Sequence, residues 1–220
     1  MGVGIDAKNR MAARAAEEIQ DGMVVNLGIG IPSLVPNFLP KERKVLFHAE
    51  NGILGMGPSP IQGKEDANLC NAGGFPVTLN KDGSYCDSAN AFAIIRRGKI
   101  DLTILGSLQV SQSGDLANWI VPGRKIPGMG GAIDLAQKAK RVVVVMSQCD
   151  KQRRPKLVES CSLPLTAKGC VNVIITEMAV YKVTDTGLHL IELFEPYGVK
   201  DVINQTDCKV HVSGSLRTIR

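Results

Sequence analysis

The sequence predicts an α/β domain: an open, mixed, mainly parallel sheet flanked by helices, with an antiparallel hairpin in its C-terminal third. Segments with helical periodicity alternate along the chain with strand-like ones. Residues 101–105, 141–146 and 171–176 are near-continuous apolar runs, as strands covered on both faces require. Residues 178–183 and 188–193 flank the turn residues Asp185, Thr186 and Gly187, which gives the hairpin.

The elements follow in order. Asp6 is placed to cap a helix over residues 6–20, with Met11, Ala15 and Ile19 on one face and Asp21-Gly22 as the stop. A strand follows at 23–27. A short helix is expected over 33–39, with Ser33 as N-cap and Pro36 tolerated in its first turn. Val45, Leu46 and Phe47 lead a buried strand that ends at Ala49. Asn51-Gly52 then signals a turn, and Gly55, Gly57 and Pro58 are expected to keep regular structure from resuming at once. After a long loop, Asp87 or Ser88 caps a helix to Arg97 that Gly98 ends. The run Gly128-Met129-Gly130-Gly131-Ala132 precedes a helix carrying Ile133, Leu135 and Ala136, and residues 198–204 suggest a last short helix. There is no internal repeat and no linker, so residues 1–220 are expected to form one domain.

Glu50 is the most informative residue. It directly follows an apolar strand and directly precedes a glycine-rich turn, and the carboxyl ends of strands in open α/β sheets are where ligands bind. A carboxylate there is poorly placed for bulk solvation and well placed as a nucleophile or base, although a solvated turn glutamate fits the same local pattern. Gly28-Ile29-Gly30 also lies between a strand and a helix, but Ser33 replaces the third glycine of a dinucleotide fingerprint and Pro32 intervenes. The small residues instead let the chain turn close to a ligand or to the Glu50 loop. In the second cluster, backbone N–H groups before a helix can stabilise an oxyanion.

Composition bounds the partners. With 220 residues and 44% hydrophobic content, the chain supports a sizeable core. No apolar run approaches the roughly 20 residues of a membrane helix, and the N-terminal segment lacks the apolar stretch of a secretory signal, so a soluble, cytoplasmic protein is expected. Met1-Gly2 suggests myristoylation, but Asp6 stands where Ser or Thr is needed. The six cysteines form no C-x-x-C pair and read as reduced thiols, and His48, His189 and His211 lack zinc-ligand spacing. The net charge of +5 is spread along the chain and aromatics are 4%, which disfavours nucleic acid and leaves a phosphate-bearing small molecule. The densest basic run, residues 151–156, reads as a solvated loop or as a phosphate contact.

The run Glu50-Asn51-Gly52-Ile53-Leu54-Gly55 resembles the glutamate signature of class I CoA-transferases of the 3-oxoacid type. Further stretches resemble the same family in the same order: Asn26-Leu27-Gly28-Ile29-Gly30-Ile31-Pro32, Asn71-Ala72-Gly73-Gly74, Gly114-Asp115-Leu116, Gly128-Met129-Gly130-Gly131 and Pro164-Leu165-Thr166. The likeness covers nearly the whole chain and is to the B, or β, subunit. It implies the NagB/RpiA-like fold of these enzymes and a partner α subunit in a hetero-oligomer. It also implies no metal and no organic cofactor beyond CoA, which is substrate and part of the covalent intermediate. By this resemblance Glu50 is the nucleophile and the Gly131 amide helps hold the thioester oxygen, while Gly28, Gly30, Asn51, Gly52 and Gly130 are candidate contacts for substrate and CoA. The implied reaction is a ping-pong exchange of CoA between an acyl-CoA and a 3-oxo acid or other short carboxylate. An acyl-CoA hydrolase on the same scaffold is the alternative, as is a transferase for a diverged, substituted 3-oxo acid. Ala49 replaces the usual Ser beside the glutamate, Ser147-Gln148 stands where Glu-His is common, and Arg97 and Lys99 replace Gly and His.

Overall fold

The computed structural model describes residues 3–123 and 130–219. Helix α1 (Ile5–Ala16) leads to β1 (Val24–Leu27), a 3-10 helix (Ile31–Phe38), β2 (Leu46–Ala49), β3 (Ile53–Met56) and β4 (Leu79–Tyr85). Next come α2 (Ser88–Arg96), β5 (Leu102–Leu105), β6 (Gln109–Ser111), β7 (Leu116–Ala117), α3 (Ala132–Lys138) and β8 (Val142–Val145). The chain ends with β9 (Leu157–Val158), β10 (Val173–Ile175), β11 (Ala179–Thr184), β12 (Gly187–Phe194), α4 (Val199–Asn204) and β13 (Val210–Ile219).

Among the described residues, ten strands form one sheet in the order β13-β12-β11-β10-β8-β5-β1-β2-β3-β4. Its centre, β10-β8-β5-β1-β2, is parallel. Antiparallel pairs flank it on both sides, and β13 closes one edge parallel to β12. The four valines of β8 show why the middle strands are apolar throughout. Val142 and Val144 enter one core and Val143 and Val145 the other, so both faces of the strand are covered. Met11, Ala15 and Ile19 cover one face. The other is covered by Ile95 of α2, Leu135 of α3 and a small sheet, β7-β6-β9, through Val110, Leu116 and Leu157.

Several local expectations are corrected. Helix α1 stops at Ala16 rather than at residue 20, because Glu17, Glu18 and Ile19 close onto carbonyls three residues back and tighten the end of the helix. Ile19 still reaches the core. The N-cap is Gly4, with Asp6 in the first turn, where a carboxylate favours the helix dipole without capping it. The element expected at 33–39 is a 3-10 helix from Ile31, since Pro32 and Pro36 lack the amides a regular helix needs. Ser33 does not cap it: its Oγ donates to the Gly30 carbonyl. Regular structure does resume after Glu50, because Asn51-Gly52 is a hairpin turn and β3 pairs with β2 through Ala49 and Ile53. Asp87 caps α2 as expected, accepting from the Asn90 amide at 2.7 Å.

The last strands are fastened to α1 by a buried ionic cluster. Arg14 Nε donates to Glu192 Oε2 at 2.5 Å and Nη2 to Oε1 at 3.2 Å, while Nη1 reaches Glu18 at 2.8 Å. Arg217 of β13 also pairs with Glu192, whose side chain is 1% exposed. Burial alone would raise the Glu192 pKa, but the bonds and charges of Arg14 and Arg217 outweigh it and hold the carboxylate below its ordinary range.

Two stability predictions follow from this architecture. A Cβ at Gly52 would sit 2.1 Å from the Cys86 carbonyl oxygen, at a φ of +111°. Gly52→Ala should therefore cost at least the roughly 1–3 kcal/mol of backbone strain, read as a lower denaturant midpoint. Glu192→Ala should cost about 3–5 kcal/mol by leaving Arg14 buried without its carboxylate. The Glu192 pKa is lower folded than unfolded, so its contribution is complete above its ordinary value of 4.5 and drains away as pH falls through the depressed folded value. Denaturation at pH 7 and below pH 4 should show the wild type losing this stability on acidification and the variant lacking that loss.

Candidate active site

The parallel register of β1 and β2 sets Asn26 opposite His48, two residues before Glu50. All three meet at the carboxyl end of the sheet. Asn26 Nδ2 donates to Glu50 Oε2 at 3.0 Å and to the His48 carbonyl at 3.1 Å, and lies 3.3 Å from His48 Nδ1. His48 Nε2 lies 3.1 Å from the Ala91 carbonyl, which can only accept, so the proton sits on Nε2 and Nδ1 is left as an acceptor for Asn26. Burial pushes the His48 pKa down, against smaller upward pulls from the Ala91 carbonyl and Glu50, which favours this neutral form. The glutamate thus receives its hydrogen bond from a neutral amide. Among the described residues no Lys, Arg or His forms an ion pair with it.

Gly131 closes the other side. A Cβ built on it would lie 3.3 Å from both Glu50 Cγ and Oε1, so the absent side chain is what lets the start of α3 approach the carboxylate. The polar row is kept at a cost: Asn26 Oδ1, and Thr103 Oγ1 on the adjoining strand, are buried without a hydrogen-bond partner. Such a row is not what a stability-driven core would choose.

The structure brings Gly131 close to Glu50 and places the other candidates around them. Asn51 Nδ2 donates to the Cys70 carbonyl at 2.7 Å, and the Gly52 carbonyl accepts from the Cys86 amide at 2.9 Å, so both hold the turn that carries Glu50. Gly28 and Gly30 line a cavity of about 540 Å³ beside His48 and Ala49. Gly130 precedes Gly131 with φ +51°, while Gly128 and Met129 lie outside the described residues. Asn26 and His48 escaped the sequence reading as site residues. The available signal was a polar side chain inside the apolar run Val24-Val25-Asn26-Leu27.

The positions that depart from the family pattern are also placed. Gln148 is fully buried and satisfied, donating to the Gln205 carbonyl and Thr206 Oγ1 and accepting from Tyr181. Arg97 and Lys99 are exposed in the loop before β5, at the amino end of the parallel strands and so opposite Glu50. The 151–156 run is not wholly a solvated loop. Lys156 turns into a second cavity of about 1390 Å³, 3.4 Å from Ser147 Oγ, and burial pushes its pKa down to about 8. Among the described residues, Lys151, Arg153, Arg154 and Lys156 line that cavity against Asp150, Glu159, Glu177 and Asp207, four charges of each sign.

The chain is 59% identical over 212 residues to the probable coenzyme A transferase subunit beta of Bacillus subtilis, covering 96% of this chain and 98% of that protein. It is 50% identical to human mitochondrial succinyl-CoA:3-ketoacid coenzyme A transferase 2, covering 98% of this chain and 42% of the human one. The crystal structure of glutaconate coenzyme A-transferase from Acidaminococcus fermentans superposes with a TM-score of 0.75 at 14% identity, over 100% of this chain and 91% of that one, which supports the fold. The pattern of the Coenzyme A transferase family matches residues 8–204, and the chain belongs to that family.

Proposed function

We propose that this chain is the β subunit of a CoA-transferase that moves CoA between an acyl-CoA and a 3-oxo acid or other short carboxylate, through a thioester on Glu50. The observation that carries the reading is the Glu50 carboxylate held on one oxygen by Asn26 Nδ2 and overlain by the bare Gly131 backbone. The relatives named as subunits give the partner: an α-type subunit in a hetero-oligomer. Six free cysteines suit a reducing compartment such as the cytoplasm.

In this mechanism the free oxygen, Oε1, attacks the thioester carbonyl of the donor, and the C–S bond breaks to give a mixed anhydride and CoA thiolate. The thiolate attacks the glutamyl carbonyl, expels the first carboxylic acid as its carboxylate and leaves CoA joined to Glu50. A second carboxylate then attacks that thioester, CoA departs as thiolate, and its return to the acyl carbonyl of the new anhydride releases the new acyl-CoA and regenerates Glu50. Each addition puts charge on an oxygen of the attacked carbonyl. In this reading Asn26 Nδ2, which already donates to Glu50, receives it when the carbonyl is that of Glu50, together with the Gly131 amide that the family resemblance implies. A neutral donor suits the role, since a cation on Glu50 would stabilise the free carboxylate and blunt its attack. Orientation is the other requirement, because a carboxylate is a weak nucleophile and water must not resolve the thioester.

The direct test is peptide mass spectrometry on the chain in complex with its α-type partner, after incubation with an acyl-CoA donor, no acceptor, and borohydride. Glu50 should carry the reduced mark, and an unmarked Glu50 in a complex that binds CoA would sink the reading. Glu50→Gln should lose essentially all transfer, with mass checks for deamidation, whereas Cys70→Ser and Cys149→Ser should keep most of it. Asn26→Ala should lower kcat by about 10²–10³, the usual effect of removing one such donor. Gly131 has φ −81°, which alanine adopts freely. Gly131→Ala should therefore fold, and lower turnover more than CoA affinity by crowding the carboxylate.

A further inference from the structure

The cavity at the tips of β1 and β2 is far more apolar than the site it adjoins. At about 540 Å³ it falls within the roughly 300–1,000 Å³ typical of small-molecule sites. Leu27, Ile29, Leu34, Met56, Phe75 and Val77 supply most of its wall. His48 and Ala49 also line it, so the cavity reaches the chain next to Glu50, whose own side chain is not in the lining. Among the described residues, Lys8 is the one Lys, Arg, Asp or Glu in the lining.

Two of these side chains are spent on the cavity rather than on the core. Ile29 is 67% and Phe75 56% exposed, although both are large and apolar. Gly73 lies against both: a Cβ there would come within 3.1 Å of Ile29 Cγ1 and 3.4 Å of Phe75 Cδ2. The wall therefore gains little in the free chain and most when hydrocarbon fills it. A second carboxylate placed there would shed its hydration against methyl and phenyl groups, with one lysine as the only charge to answer it.

We infer that this cavity is the acyl-chain subsite of the transferase, and that it selects acyl groups with uncharged hydrocarbon chains over dicarboxylic ones such as succinyl. The inference rests on Glu50 being the nucleophile, which the adjoining wall then supplies with substrate. It also sets the chain apart from the donor in the human relative's name.

The test measures kcat/KM of the complex with its α-type partner for acetyl-, butyryl-, hexanoyl- and succinyl-CoA at a fixed acceptor, with Glu50 trapped by borohydride in parallel. Each methylene that enters the cavity should raise kcat/KM about fourfold, the equivalent of about 0.8 kcal/mol per buried CH₂. Butyryl-CoA should exceed succinyl-CoA, of equal chain length, by at least about tenfold. The variants Phe75→Ala and Ile29→Ala/Phe75→Ala should fold, because their side chains are exposed, and should flatten the chain-length series, with the largest loss for hexanoyl-CoA. A flat wild-type series, or succinyl-CoA matching butyryl-CoA, overturns the inference even if Glu50 is marked. An equal loss for every donor in the variants also overturns it and assigns the cavity to the pantetheine arm. An unmarked Glu50 with all donors would instead remove the transferase reading itself.

Discussion

The hydrogen bond from Asn26 to Glu50 organises the functional end of this molecule. A carboxylate at a strand tip can be steadied by a cation or by a neutral donor, and here the donor is the neutral amide of Asn26. The neutral donor must come from the adjoining strand, so the parallel β1–β2 register, with Asn26 opposite His48, becomes a condition of the site. The same register keeps His48 neutral between Asn26 and the Ala91 carbonyl, which ties helix α2 to the position of the glutamate. The two unpartnered oxygens in this row show the stability given up for that arrangement.

The rest of the fold holds that row still. Five parallel strands with both faces covered give β1 and β2 rigid neighbours on one side, and the β2–β3 hairpin braces the turn on the other. Gly52 and Asn51 strengthen the brace: one permits the close approach to Cys86 and the other fastens the loop at Cys70. Far from the site, the Arg14–Glu192–Arg217 cluster locks the last two strands to α1, so the sheet does not fray from its far edge.

The two cavities differ in what they can recognise. The larger one balances its cations with acids and encloses a lysine whose ammonium is weakened by burial. The smaller one is lined mostly by apolar groups and touches β2, which ends just before Glu50. Basic residues dense in sequence therefore do not amount to a basic surface. Apolar residues scattered from Leu27 to Val77 do amount to a single apolar wall.

Much of this was legible in the residues. The apolar runs gave β5, β8 and β10, Asp87 gave the cap of α2, and the glutamate between an apolar strand and Asn51-Gly52 gave the tip of β2, because burial on two faces, capping and turn geometry each impose a local composition. Weakly apolar strands were not legible. β4 and β13 lie at the sheet edges, where polar side chains face solvent, and β6, β7 and β9 are two or three residues long. The helix ends slipped for a related reason: two prolines and a tightened last turn altered the hydrogen bonding without changing which residues are apolar. The sequence by itself determined that a glutamate stands at a strand end among glycines. Only the tertiary structure decided that Asn26, 24 positions earlier, is its hydrogen-bond donor and that Gly131, 81 positions later, lies against it, because strand register and the seating of α3 bring together residues that no local pattern links.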